Sequence, residues 1–385
     1  MTSRCDVAII GGGIVGAATA AQLLLADPAL DVLVVEPDPA YTDAATPRSS
    51  GGIRRLFSCP ENIQLAQYTH EIIAAWPDFA GPDAPDLQWR PGGYLFIAGP
   101  QDSPTLQANL ETQQAHGVPA HWLDPADLAA RFPYLATHDL GGAVLCPGDG
   151  WLDPHSLLHG VLALAKRLGA AFRIDRAVGF STRRGTVEAV ELESGAAIAA
   201  GAVVDAAGCW APALAAQVGM PVPVEPMRRL EHYVEAPAEL PGLPFVKDPT
   251  GLAVRPEGAG LSTGVVDFDH PTETAIAHDY FDGTVWPALA HRIPALDELR
   301  LRSTMVGYYD QNRLDGNLII GNRPGHADNF YLACGFSGHG LMQALGVGRA
   351  LAELILHGEF RTIDLERLTY RRVVEQAPYP EDGIR

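Results

Sequence analysis

Apolar residues in this chain fall into distinct kinds of run. Short continuous runs occur at Val7–Ile10, Val34-Val35, Ala202-Val-Val204, Leu318–Gly321 and Phe330–Cys334. Each is bounded by turn residues, as expected for strands of a parallel sheet buried on both faces. Helical spacing marks 14–26, 61–76, 103–116 and 154–168, and a last helix opens at the glycine-rich 335–340 segment and runs to about His357. Between 216 and 312 the pattern changes to short strands and turns, such as Arg228–Ala236 and Leu252–Val254. Residues 90–98 read as a strand of that second kind, and 171–174 and 187–192 as further strands. The order predicts a discontinuous α/β domain built from 1–85, 141–215 and 313–385. A mostly antiparallel α+β domain is inserted as 86–140 and 216–312.

The first βαβ unit carries chemistry. Gly11, Gly13 and Gly16 form a Gly-x-Gly-x-x-Gly turn between a strand and a helix, with Ile14 and Val15 at the helix start. The first glycine permits the tight turn, the second a close approach of backbone N–H groups to a pyrophosphate, and the third helix–strand packing. The helix N-terminus adds partial positive charge there. Glu36 ends the next strand 20 residues after Gly16, where its carboxylate can accept ribose hydroxyls. The spacing predicts dinucleotide binding. A second strand–glycine–helix turn, Gly335-Phe-Ser-Gly-His-Gly340 followed by Leu341, offers N–H donors to another electron-rich group. Ala206-Ala-Gly-Cys-Trp-Ala211 is a third glycine-bearing strand end.

Composition narrows the partners. A net charge of −19 argues against nucleic acid or anionic membrane surfaces. The five cysteines lack paired or metal-ligand spacing, so no metal site or disulfide framework is expected, and a reducing, cytoplasmic setting fits. No apolar run reaches the ~18 residues of a membrane span, and the short N-terminal run feeds the glycine turn rather than a signal-peptide core.

Taken together, the N-terminal turn, Ser49-Ser-Gly-Gly52, Gly92-Gly-Tyr94, Ala206-Ala-Gly-Cys-Trp210, Gly307-Tyr-Tyr-Asp310 and Gly335–Gly340 resemble the D-amino-acid oxidase-like family of FAD-dependent amine oxidoreductases. That family includes sarcosine and glycine oxidases and dimethylglycine dehydrogenase. The segments 52–64 and 348–365 narrow the resemblance to a branch containing a mitochondrial FAD-dependent oxidoreductase-domain protein tied to respiratory complex I assembly. The resemblance implies extended FAD. Gly11, Gly13 and Gly16 would lie at the pyrophosphate, Glu36 at the ribose and the backbone of Val178 at adenine. Ser49, Ser50, Gly51 and Gly52 would run along the flavin. Ala207, Gly208 and Trp210 would add to the cradle, and Gly335, Ser337, Gly338, His339, Gly340 and Leu341 would close the pyrimidine end.

Departures from that pattern shape the functional expectation. Positions where relatives attach flavin covalently through His or Cys are Ser49 and Gly307 here, so FAD is expected to be non-covalent. The family's carboxylate clamps, an Arg or a Lys, are replaced by Tyr309 and Met342. Arg54, on the flavin-adjacent segment, becomes the candidate carboxylate ligand, because guanidinium matches carboxylate bidentately. His232, with Tyr233, sits on a strand expected to face the flavin, and Tyr309 completes the candidate catalytic set. Ser262 stands where monomeric sarcosine oxidases carry an oxygen-activating Lys. This points to a dehydrogenase using a quinone or electron-transfer protein in preference to O₂. The resemblance implies oxidation of the C–N bond of an amino acid or secondary amine by hydride transfer to flavin N5, with hydrolysis of the imine. Secondary amino acids are the first expectation. The other reading is an FAD-bearing electron-transfer or assembly subunit of a larger complex. An NAD-dependent enzyme would leave the Ser/Gly segment and the C-terminal glycine turn unexplained. Homo- or hetero-oligomerisation is left open.

Overall fold

The computed structural model describes residues 2–266 and 279–383, so residues 267–278 of the inserted segment lie outside the described part. Two large sheets meet. In the first, the strands run in the order Ile319–Arg323, Ala327–Cys334, Ala197–Asp205, Thr2–Ile10, Val32–Glu36 and Ala171–Ile174. The pairs within the Ala327–Ile174 stretch of that order are parallel, and the Ile319–Arg323 edge is antiparallel. A hairpin, Ala177–Arg183 with Thr186–Leu192, extends from Ala197–Asp205. Parallel strands need covering on both faces. Helices Ile14–Ala26, Pro154–Arg167 and Gly340–His357 cover one face, and their apolar residues join those of the strands in one core.

Chain segments far apart in sequence are therefore neighbours. The first and last of these helices cross at Gly348, where a Cβ would lie 2.6 Å from the Ala18 carbonyl carbon, so only glycine permits this approach. Gly16 makes the corresponding approach to its own strand turn: a Cβ there would lie 1.9 Å from the Gly11 carbonyl oxygen.

The second sheet has the order Arg300–Asn312, Val224–Glu235, Gly260–Val265, Leu252–Glu257, Phe245–Lys247, Tyr94–Ala98, Gly142–Cys146 and His121–Leu123. Its pairs are antiparallel except Phe245–Lys247 with Tyr94–Ala98. Gly142–Cys146, grouped by the sequence pattern with the cofactor segments, pairs instead with Tyr94–Ala98. Its five-residue apolar run is buried throughout, which hid its antiparallel partner from a reading based on periodicity.

Alternation along these strands gives the second sheet two chemically different faces. Leu95, Val246, Val254, Leu261 and Val234 share a core with Phe281, Val285 and Leu289 of the segment beyond. The opposite face carries Tyr94, Phe96, Phe245, Lys247, Arg229 and Tyr309, and it looks toward the Gly52–Phe57 segment.

Candidate active site

A cleft runs along the carboxyl ends of the first sheet, the usual ligand position in such sheets. It is lined by Gly11, Gly13, Ile14, Val15, Glu36, Ser49, Ala207, Gly208, Trp210, Tyr309, Gly338, Gly340 and Leu341, with Tyr41, Arg176, Ala177, Cys209 and Asp310 among others. Gly11 has φ +96°, a value L side chains rarely adopt. Gly13 caps the Ile14–Ala26 helix without a side-chain hydrogen bond, no acid stands in the first turn, and a Cβ on Gly13 would meet nothing within 4 Å. That is an open cradle of N–H groups, suited to phosphate. Glu36 is held in place at the strand end, accepting from Gly12 N at 2.8 Å and Asp38 N at 2.9 Å. Its remaining lone pairs can take hydroxyl donors.

The second glycine turn is organised by an acid outside the glycine motif. The Asp310 Oδ2 accepts from Gly335 N at 2.7 Å and Phe336 N at 3.1 Å. Burial raises the Asp310 pKa to about 6, against the lowering influence of those bonds. Ser337, at φ +52°, accepts from Asn312 N at 3.0 Å and donates to the Gly335 carbonyl at 3.2 Å. Gly338 leaves room for Tyr309, whose ring would lie 2.4 Å from a Cβ. The Gly340–His357 helix also starts without a side-chain cap or an acid in its first turn, so its N–H groups face the cleft as the first helix's do. Two donor-lined helix starts, a fixed carboxylate and a long cleft between them fit an extended dinucleotide.

The matched regions say which one. Residues 6–354 match the family described as DAO, FAD dependent oxidoreductase. The chain belongs to this family. It is an FAD-dependent amine or amino-acid oxidoreductase, and FAD is its cofactor. A Xenopus laevis relative named FAD-dependent oxidoreductase domain-containing protein 1 is 33% identical over 99% of this chain and 85% of its own length. Mouse mitochondrial sarcosine dehydrogenase is 27% identical over 93% of this chain and 40% of its own. Among solved structures, an L-proline dehydrogenase from P. horikoshii superposes with TM-score 0.87 at 26% identity, covering 98% of this chain and all of that one.

Beyond the cleft, Arg54 is 2% exposed. Its Nη2 lies 3.0 Å from His339 Nε2, its Nη1 donates to the Leu56 carbonyl, and its guanidinium covers the Phe57 ring at 4.1 Å and the Phe96 ring at 4.9 Å. No carboxylate pairs with it among the described residues, and burial lowers its pKa. Burial, with Arg54 and Lys247 nearby, also holds His339 well below the usual imidazole range. That favours the neutral imidazole, and because guanidinium can only donate, Nε2 of His339 accepts the hydrogen bond from Arg54. Its neighbour Arg55 turns the other way, into an ion pair with buried Asp149 at 2.7 Å.

Two sequence candidates sit elsewhere. His232 shares the face of Leu230 and Val234, bonds Thr304 Oγ1 at 2.9 Å and packs on Phe281 with ring centroids 5.0 Å apart. It therefore lies behind the sheet, away from Tyr309 and Arg229, and burial lowers its pKa to about 4. The error was one of parity: a one-residue step along a strand exchanges faces. Val178 is 47% exposed and its carbonyl accepts from Gln217, whereas the preceding Arg176 and Ala177 line the cleft. Ser49 lines the cleft and fixes its own loop by accepting from Gly51 N at 3.1 Å.

The sequence reading missed Arg229, Glu231 and Lys247. Arg229 lies over the Tyr309 ring at 5.2 Å and donates to the Val265 carbonyl. Ser262 donates to Glu231. Lys247 is partly accessible, yet protein surrounds it closely enough that lost hydration lowers its pKa to about 7, with Arg229 and Arg54 adding to the shift. The signal was present as period-two alternation: 229 and 231 are polar while 230 and 234 are apolar.

Proposed function

We propose that this protein oxidises the C–N bond of an amine bearing a carboxylate, with secondary amino acids as its substrates, and that Arg54 binds the carboxylate. The carrying observation is Arg54 itself, a buried guanidinium whose described partners are a carbonyl, a neutral imidazole and aromatic faces. Glu381 and Asp149 act on Arg54 only from a distance, and a buried cation with no carboxylate in contact is costly unless a ligand supplies the negative charge. Bound FAD supplies the two-electron oxidant, held non-covalently. The chain contributes position and electrostatics. Arg54 fixes one end of the substrate, beside a stack of Tyr94, Phe96 and Phe245 in which Tyr94 and Phe245 pack directly over the Gly52 backbone. The surrounding cations disfavour a further ammonium, so the reactive neutral amine is preferred there.

The acceptor reading changes its footing. Ser262 does occupy this sheet, but Arg54 and Arg229 present guanidinium groups toward its inner face. The preference for an acceptor other than O₂ is instead supported by the relatives named sarcosine dehydrogenase and L-proline dehydrogenase. The free cysteines, four of them buried, are compatible with a reducing compartment.

Anaerobic bleaching of the flavin against N-substituted, cyclic and primary amino acids tests the reaction. Arg54→Met should weaken the reducing amino acid by roughly 100-fold while FAD content is kept. If no amine bleaches the flavin, the reaction is wrong and the reading as an electron-transfer or assembly subunit takes its place. Reoxidation by air as fast as by an artificial quinone would reject the acceptor assignment.

A further inference from the structure

Resting on that proposed reaction, a second observation concerns which carboxylates the site takes. Cross-strand partners share a face, and one row of partners crosses the inner face of the second sheet. Phe96 pairs with Lys247, Lys247 with Ala253, and Ala253 with Gly264. The next strand presents Glu231, whose Oε2 would lie 3.6 Å from a Cβ on Gly264. Between Lys247 and Glu231 the floor is thus made of alanine and glycine, with no side chain longer than a methyl group. Charged side chains stand around this floor. Arg54 covers Phe96, the strand neighbour of Lys247. Arg229 is the largest charged influence on Lys247, ahead of Arg54, and Glu231 is the acid acting on it.

The Lys247 ammonium makes no hydrogen bond to a described residue and lies 5.5 Å from the Phe245 ring centroid. Glu231 is already engaged by Ser262. Arg229 spends one guanidinium nitrogen on the Val265 carbonyl, and its Nε is buried without a partner. The face therefore displays more cationic than anionic groups, and they are separated. Arg54 and Lys247 flank Phe96, while Glu231 lies about three strand spacings, roughly 14 Å in backbone, from Lys247. A single α-carboxylate satisfies only Arg54.

We propose that the substrate carries two carboxylates and one amine, as in an N-carboxyalkyl amino acid or an acidic secondary amino acid. Arg54 takes one carboxylate, Lys247 takes the other, and Glu231 selects the nitrogen by accepting from its N–H. The small residues Ala253 and Gly264 put no long side chain across the line between them.

The test separates this specificity from the reaction itself. Calorimetric titration of the oxidised holoenzyme with acetate, malonate, succinate and glutarate requires no turnover. At least one dicarboxylate should bind about tenfold or more tightly than acetate. Lys247→Met should bring the ratio near one, and Lys247→Arg should restore most of it, with FAD content and melting temperature measured on each variant. No dicarboxylate preference in the wild type, or a preference that survives Lys247→Met, overturns the proposal. Bleaching by iminodiacetate and by sarcosine is the parallel arm. If dicarboxylates bind in a Lys247-dependent way but no amine bleaches the flavin, the site stands and the reaction fails. If sarcosine bleaches it as readily as iminodiacetate and binding shows no preference, the reaction stands and the second carboxylate subsite fails.

Discussion

Asp205 shows how one residue can sit at odds with the fold around it. It ends the strand beside Ile10, is fully buried, accepts from Ala207 N at 3.2 Å through Oδ1, and leaves Oδ2 without a partner. Desolvation raises its pKa from 3.8 to about 8. The sign follows from proton binding. Above pH 4 the unfolded chain releases this proton while the fold keeps it, so stability falls with rising pH until the folded group ionises as well. Asp205→Asn removes that dependence. The variant should be more stable than wild type by about 2–4 kcal/mol at pH 7 and by much less at pH 4.5, measured by urea unfolding. An equal gain at both pH values would mean that the carboxyl is not held protonated. Arg54 was legible by residue type and place in the motif. Lys247 was not, because its significance depends on Phe96, Ala253 and Gly264, which converge only through strand pairing.

Elements were read best where periodicity and punctuation agree. The Ile14–Ala26 helix and the Ala171–Ile174 strand fall where the pattern puts them. The predicted 61–76 helix divides instead into Pro60–Ala74 and a short Trp76–Ala80 turn of helix containing Pro77, since proline is accommodated at a helix start and not inside one. The start of Pro60–Ala74 falls within one residue of the pattern's, but its capping group was invisible to local sequence because it comes from elsewhere. Cys59 provides no side-chain cap. The Glu381 carboxylate accepts from Ser58 N at 2.5 Å, Ser58 Oγ at 2.6 Å and Cys59 N at 3.2 Å, and from the Asn62 amide at 2.5 Å. An anion at this end is also stabilised by the positive end of the helix dipole. Glu381→Ala should cost about 1–2 kcal/mol, comparable to losing an N-cap, seen as a lower melting temperature. Because Arg54–Phe57 immediately precede the helix, the same variant should bind the substrate carboxylate more weakly. Unchanged stability would show that solvent caps this helix as well as Glu381 does.

At the scale of the molecule, a chain of net charge −19 encloses a site faced by Arg54, Arg229 and Lys247. Such a contrast concentrates field inside a low-dielectric recess, so ionic strength should affect substrate binding less than exposed charges would suggest. The cofactor provides the second whole-molecule prediction. With Ser49 and Gly307 at the positions of attachment in relatives, acid precipitation should leave the yellow colour in the supernatant and identify it as FAD; colour in the pellet would show a covalent bond. The fold class was legible because three glycine turns each followed an apolar strand, whereas the sheet order was not, since no local pattern states which strands pair. That order has a temporal consequence. The first cradle glycines lie at 11–16, but the strand Ala327–Cys334 and the Gly340 helix start that complete the cleft come more than 300 residues later. During synthesis the complete cleft cannot form until the Gly340 helix start has emerged. A chain truncated before Gly335 is expected to stay colourless, with the apolar flank of the Ile14–Ala26 helix left without its Gly340–His357 partner.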